Sequence, residues 1–256
     1  MTPFRDLHHD DLPLILPNAW DVPSALMLLD AGFTAIGTTS CGVAVSHGVP
    51  DGAGSTKDAN LTLATALHQL DCHVSIDVED GYSADPDEVA AYVAGLPADG
   101  INIEDSTAGA LIDPATHAAK IGAIKARSPE IFVNARVDTY WFGEGADVAT
   151  TVARAERYVE AGADGVFVPG VSDADLLRSL ASAIDRPLNV LAISGSSPAD
   201  LGALGVRRIS TGSLPYRAAL TAAVAAAVAT RDGLTFPGAV SYPDLQNLMI
   251  RYTEGR

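Results

Sequence analysis

Several acidic side chains and one arginine stand at spacings that could hold a divalent cation and a small anion together. Asp77 and Glu79 lie two residues apart in Val74-Ser75-Ile76-Asp77-Val78-Glu79, a segment that reads as a strand, so both side chains are expected on one face. Glu104 and Asp105 follow the apolar run Gly100-Ile101-Asn102-Ile103, and Arg136 and Asp138 follow Ile131 to Ala135. Carboxylates gathered on neighbouring strand ends repel one another unless a cation sits among them. Asp and Glu oxygens suit Mg2+, with Mn2+ as the alternative. The competing reading is that these acids cap helices or pair with Arg and Lys. The planar fork of Arg136 suits two-point capture of a carboxylate. A salt bridge to the neighbouring acids is its other reading, and the two are compatible.

These residues need a scaffold that brings strand ends together. Short apolar runs alternate with helical patterns along the whole chain: Leu14–Leu16, Ala35–Gly37, Val74–Val78, Gly100–Glu104, Ile131–Arg136, Gly165–Val168, Leu188–Ala192 and Arg208–Thr211 read as strands, each followed by a helix. Eight such units predict a closed (β/α)8 TIM barrel, whose catalytic groups lie at the C-terminal ends of the strands. A doubly wound open sheet would favour a Gly-rich phosphate loop after the first strand, and Asn18-Ala19-Trp20-Asp21 is not one. The turn Gly37-Thr38-Thr39-Ser40-Cys41-Gly42 has small residues that let backbone N–H groups approach an anion, a weak signal by itself.

At 256 residues the chain is about the length of one such barrel. We expect residues 1–256 to form a single catalytic domain, with 214–256 a C-terminal helical oligomerisation segment. Its Ala-rich stretch is apolar on nearly every face. That pattern fits either a strong helix former or a subunit contact. A net charge of −16 repels phosphate backbones and anionic membranes, so neither nucleic acid nor membrane is an expected partner. No apolar run is long enough to span a bilayer, and the acidic beginning Met1-Thr2-Pro3-Phe4-Arg5-Asp6-Leu7-His8-His9-Asp10-Asp11 lacks an apolar signal core, so a cytoplasmic location is expected. Cys41 and Cys72 fall at opposite ends of the expected barrel, so no disulfide is expected between them.

Taken together, Asn18-Ala19-Trp20-Asp21, Thr39-Ser40-Cys41-Gly42, Gly48-Val49-Pro50-Asp51, Asp77-Val78-Glu79-Asp80-Gly81-Tyr82, Ile103-Glu104-Asp105 and Asn134-Ala135-Arg136-Val137-Asp138 resemble the phosphoenolpyruvate mutase/isocitrate lyase superfamily. The resemblance implies Mg2+ held by Asp77, Glu79 and Glu104. It implies a substrate carboxylate bound by Arg136 and by the Thr39-Ser40-Cys41 turn, and Asp51 over the reacting bond on a mobile loop. It also implies a homotetramer, a dimer of dimers, whose C-terminal helix is exchanged between subunits. The chain departs from the lyases in the segment after the fourth strand: Asp105 to Asp113 contains no Cys, His or Lys. His47, near Asp51, could donate a proton or be a loop residue with no catalytic role.

The expected function is therefore that of a Mg2+-dependent enzyme on a small anionic 2-oxo acid. It would act through an enolpyruvate-like intermediate, as a C–C lyase, decarboxylase or hydrolase on an oxaloacetate-type substrate. A phosphonate P–C mutase or hydrolase is the alternative within enzymes. A non-catalytic 2-oxo-acid-binding protein is the alternative outside them.

Overall fold

The computed structural model describes residues 2–52, 54–236 and 238–255. Eight parallel strands form its centre: β1 (Leu14–Leu16, continuing after Pro17 as Asn18–Ala19), β2 (Ala35–Thr38), β3 (His73–Asp77), β4 (Gly100–Glu104), β5 (Phe132–Arg136), β6 (Gly165–Phe167), β7 (Leu188–Leu191) and β8 (Val206–Ser210). Each pairs with its sequence neighbours. The sheet closes because the two halves of β1 pair in opposite directions: Leu14–Leu16 with β8, and Asn18–Ala19 with β2. Pro17 has no N–H to donate, and its carbonyl accepts from Gly37 at 2.8 Å. Asn18 secures the seam. Its amide donates to the Thr38 carbonyl at 2.7 Å, and its Oδ1 accepts from the Gly212 N–H at 2.8 Å. The expected barrel is thus the observed one, with strand edges shifted by a residue or two.

Alternation along the strands sorts the side chains. Ile76, Ile101, Ile103, Val133, Ala135, Val166 and Val190 face outward into the helices and are fully buried. Burying one of these Ile or Val side chains is worth about 1.5–3 kcal/mol. The inward positions are unusually polar for a barrel interior, which is commonly filled by branched apolar residues. Ser75, Asn102, Asn134, Asn189, Arg208 and Ser210 are all buried there. At the opposite end, Phe4 and His8 close the barrel floor against Phe132, His8 stacking on its ring at 4.1 Å.

Many acids do cap helices, as one of the sequence readings held. Asp21, Asp85, Asp113, Asp147 and Asp173 each accept a backbone N–H at a helix start, which accounts for their presence at about 1 kcal/mol each. Proline occupies the first turn after several of these caps, where a missing N–H costs nothing. Asp77 and Glu104 are not caps. After β8 the chain forms the helix Leu214–Asp232, and Tyr242–Glu254 forms the last helix. Only Tyr216 and Ala229 of the first are buried, while Leu220, Val224 and Val228, one helical stripe, are exposed. Both cysteines are free thiols. Among the described residues no helix is long and apolar enough to cross a membrane.

Candidate active site

A cavity of about 370 Å3 opens at the C-terminal ends of the strands. Asp77 and Glu104, the last residues of β3 and β4, line it, together with Arg136 at the end of β5 and Asp51 from the loop after the second helical segment. The Asp77 carboxylate is fixed from two sides: the Ser40 N–H donates to Oδ2 at 3.0 Å and the Asn102 amide to Oδ1 at 3.2 Å. Asn134 in turn donates to Asn102 at 3.1 Å, so a row of inward amides orients the acid.

Glu104 is mostly buried, and burial pushes its carboxyl up to about 8; Arg136 opposes that rise, while Asp77, Asp138 and Asp51 add to it. Burial, then Asp77, likewise raises Asp51, and hydrogen bonds from Ser40 and Gly52 resist the shift. Carboxyl groups raised together in one cavity are short of positive charge. Arg136 does not make up the deficit by itself. Its Nη1 meets Glu104 at 2.8 Å and its Nε meets Asp138 at 2.6 Å, so both of these donors are spent on the protein's own acids. Its guanidinium also lies against Trp141 and Phe167, at 5.5 and 5.8 Å from their ring centres. The salt-bridge reading of Arg136 describes this geometry, and it is compatible with a substrate carboxylate joining the same network.

Glu79 departs from its expected placement. β3 ends at Asp77, and Glu79 takes a left-handed backbone conformation at φ 49°, so strand alternation no longer governs its direction. Its buried carboxylate accepts the Gly54 N–H at 3.0 Å and the Thr56 hydroxyl. Both partners follow Asp51 closely, so Glu79 braces the loop that carries Asp51. It does not line the cavity with Asp77.

The Thr39-Ser40-Cys41 turn is the start of the helix Ser40–Ser46, with Thr39 as its N-cap. Thr39, Ser40 and Cys41 all line the cavity. Two of the turn's N–H groups are already used, Thr39 to the Ala19 carbonyl at 3.1 Å and Ser40 to Asp77, so they are not free for an anion. His47 closes the same helix, its Nδ1 bonded to the Val43 carbonyl at 2.9 Å, and lies outside the cavity lining.

The segment after β4 folds as a small hairpin, Ser106–Thr107 against Ala110–Leu111, with Ala108 and Gly109 at its tip. The tip residues touch the cavity. Asp105, read from the sequence as part of the mouth, points away from it. It is completely buried and accepts from the Asp138 N–H at 2.8 Å, Arg154 Nε at 2.6 Å and the Tyr158 hydroxyl at 2.7 Å. Asp138 also accepts from Ser106 at 2.7 Å, which ties the hairpin to the support of Arg136.

Sequence reading missed Arg208. It lies on β8 with 3% exposure and lines the cavity. The signal was available: Val206-Arg207-Arg208-Ile209-Ser210 places a charge at an inward position of an otherwise buried strand.

Among the described residues no three His, Cys, Asp or Glu side chains converge closely enough to hold a metal unaided. The donor set nonetheless suits Mg2+, which keeps several waters and takes only one or two protein carboxylates. Asp77, Glu104 and Asp51 share the cavity, and two of them carry raised carboxyl groups that a cation would relieve.

A closed parallel barrel with acids and an arginine at its C-terminal mouth defines a class of enzyme scaffold. Comparison with known proteins gives the family: residues 4–231 match the model described as phosphoenolpyruvate phosphomutase, and the chain belongs to that family. It is 59% identical over 249 residues to Rv1998c of Mycobacterium tuberculosis (strain ATCC 25618 / H37Rv), described as an uncharacterized protein, covering 97% of this chain and 96% of that one. It is 36% identical to a putative phosphonomutase from Burkholderia cenocepacia J2315, with a TM-score of 0.82 over 87% of this chain and 96% of the other. A phosphonopyruvate hydrolase solved with oxalate and Mg2+ shares the fold, at a TM-score of 0.84 and 23% identity over 99% of this chain and 97% of that one.

Proposed function

We propose that the chain is a Mg2+-dependent enzyme that acts on a short 2-oxo acid through an enolate, as a C–C lyase, decarboxylase or hydrolase on an oxaloacetate-type substrate. The observation that carries this reading is that Asp51, Asp77, Glu104 and Arg136, drawn from four different strand ends and loops, line one cavity of about 370 Å3. That volume suits a small substrate. Asp77, Glu104 and Asp51 would hold the cation, which when bound supplies positive charge beside a developing enolate oxygen. Arg136 adds a fixed positive charge there, held in place before the reaction by Glu104 and Asp138. Trp141, Phe142, Phe167 and Leu191 give part of the wall an apolar surface. The hairpin tip presents only Ala108 and Gly109, so it offers no side-chain acid to protonate a poor leaving group. Substrates whose leaving group needs no proton, such as oxaloacetate losing CO2, fit that wall.

The family and the Burkholderia relative favour a second reading, cleavage or transfer at a P–C bond of a phosphonate. Parallel assays with phosphonopyruvate and oxaloacetate separate the two. Oxalate with Mg2+ should raise the melting temperature of the wild type, because a ligand that binds only the native state stabilises it. Absence of any shift would remove the basis for both readings. A shift without turnover of any 2-oxo acid or phosphonate would indicate a binding protein.

The exposed stripe on Leu214–Asp232 supports a homotetramer, a dimer of dimers, in which a neighbouring subunit covers that helix.

A further inference from the structure

We propose that Arg208 is a second substrate-contacting residue, which receives an anionic group of the substrate deep in the barrel together with the Ser75 hydroxyl. This rests on the reading of the cavity as a 2-oxo-acid site and adds that the substrate carries two anionic groups. Arg208 and Ser75 are both more than nine-tenths buried and both line the cavity. The Nε of Arg208 donates to Ser210 Oγ at 3.2 Å, and Ser210 passes the chain on to Asn189 Oδ1 at 3.2 Å. Among the described residues its buried Nη1 has no acceptor, and the buried Ser75 Oγ has no partner either. Among the described residues no carboxylate forms an ion pair with Arg208.

The contrast with Arg136 gives this its meaning. Arg136 is answered by two carboxylates, which engage its Nη1 and Nε. Arg208 is the guanidinium in the same cavity with donors still unanswered. Burial holds it down to about 9, with only Asp77 opposing. Native folds rarely keep a buried charge without a partner, and an unsatisfied group of this kind in a cavity wall calls for an explanation. A carboxylate accepts from a guanidinium in good geometry, and Ser75 could supply another donor to the same group. A phosphonate or phosphate would satisfy the same donors.

Thermal shift and calorimetric titration of the full chain test the assignment. The probes are oxalate, malonate and inorganic phosphate, each with and without Mg2+, against wild type, Arg208→Met and Arg208→Lys. Arg208→Met should melt no lower than wild type without ligand, because it removes an unanswered buried charge, and should lose the anion-induced shift. Arg208→Lys keeps the charge without the fork and should bind the anion roughly tenfold more weakly, the loss expected for one charged hydrogen bond. It also carries the test if Arg208→Met does not fold. Equal shifts in wild type and both variants would overturn the inference and leave the 2-oxo-acid reading intact. An Arg208-dependent shift with phosphate or malonate, but none with oxalate and Mg2+, would support the inference and overturn that reading. No shift of the wild type with any anion would overturn the inference together with the 2-oxo-acid reading on which it rests.

Discussion

Arg136 reaches Glu104 through Nη1 at 2.8 Å, and this pairing sits in a cavity whose burial pushes the Glu104 carboxyl up to about 8. One arginine is thus shared between two acids, while a third and a fourth, Asp77 and Asp51, stand nearby without an ion pair to any Lys or Arg among the described residues. The consequences are testable.

Asp77 and Glu79 should separate in their effects, although they are two residues apart. Asp77→Ala should abolish Mg2+-dependent stabilisation by oxalate. Glu79→Gln should keep part of it while lowering stability by about 1 kcal/mol, because it weakens bonds to Gly54 and Thr56. Thermal melts with and without Mg2+ and oxalate read both effects. Equal behaviour of the two variants would contradict the division between a cation ligand and a loop brace.

Asp105→Ala should cost about 3–5 kcal/mol. It leaves Arg154, Tyr158 and the Asp138 N–H facing an empty acceptor in the interior. Denaturant titration gives the value. A loss under 1 kcal/mol would mean that this network does not hold Asp138 and Arg136 in place.

The eight strands were readable because most are short apolar runs that alternate with helical patterns, several of them ended by Gly, Pro or an acid. The sequence also placed Asp77, Glu104 and Arg136 at strand ends, where alternation fixes their direction. Alternation fails once the strand stops, which is why Glu79 and Asp105 turned elsewhere. Arg208 was legible as a charge on a buried strand, but not that its Nη1 would be left without an acceptor, because partners are fixed by the three-dimensional fold. The spent N–H groups of Thr39 and Ser40 were invisible for the same reason: their acceptors, Ala19 and Asp77, come from neighbouring strands.

Acid should unfold the protein through two buried imidazoles. Burial lowers both His8 and His117 from 6.5 to about 3. Between these values the unfolded chain binds more protons at these two residues than the native one, so their contribution to stability is complete above about pH 6.5 and is lost as pH falls toward 3. His117, with neither ring nitrogen bonded, packs edge-on to Tyr158. His117→Phe should keep that packing and reduce the acid-side slope by about 1.4 kcal/mol per pH unit, one proton's share. An unchanged slope in urea titrations across this range would refute the assignment.

The stripe Leu220, Val224 and Val228 predicts assembly. Light scattering at micromolar concentration should report a tetramer for the wild type and smaller species for Val224→Glu, since a charge on a covered apolar stripe is costly. A wild-type monomer would contradict the proposed exchange of this helix.

The most direct test is turnover of oxaloacetate by the purified wild type, followed by NMR of the products with Mg2+ present and after its removal by EDTA. Mg2+-dependent loss of oxaloacetate well above its spontaneous decay is expected, abolished in Asp77→Ala, with little or no reaction with isocitrate or methylisocitrate. Robust isocitrate cleavage, or oxaloacetate turnover unchanged by EDTA, would contradict this expectation.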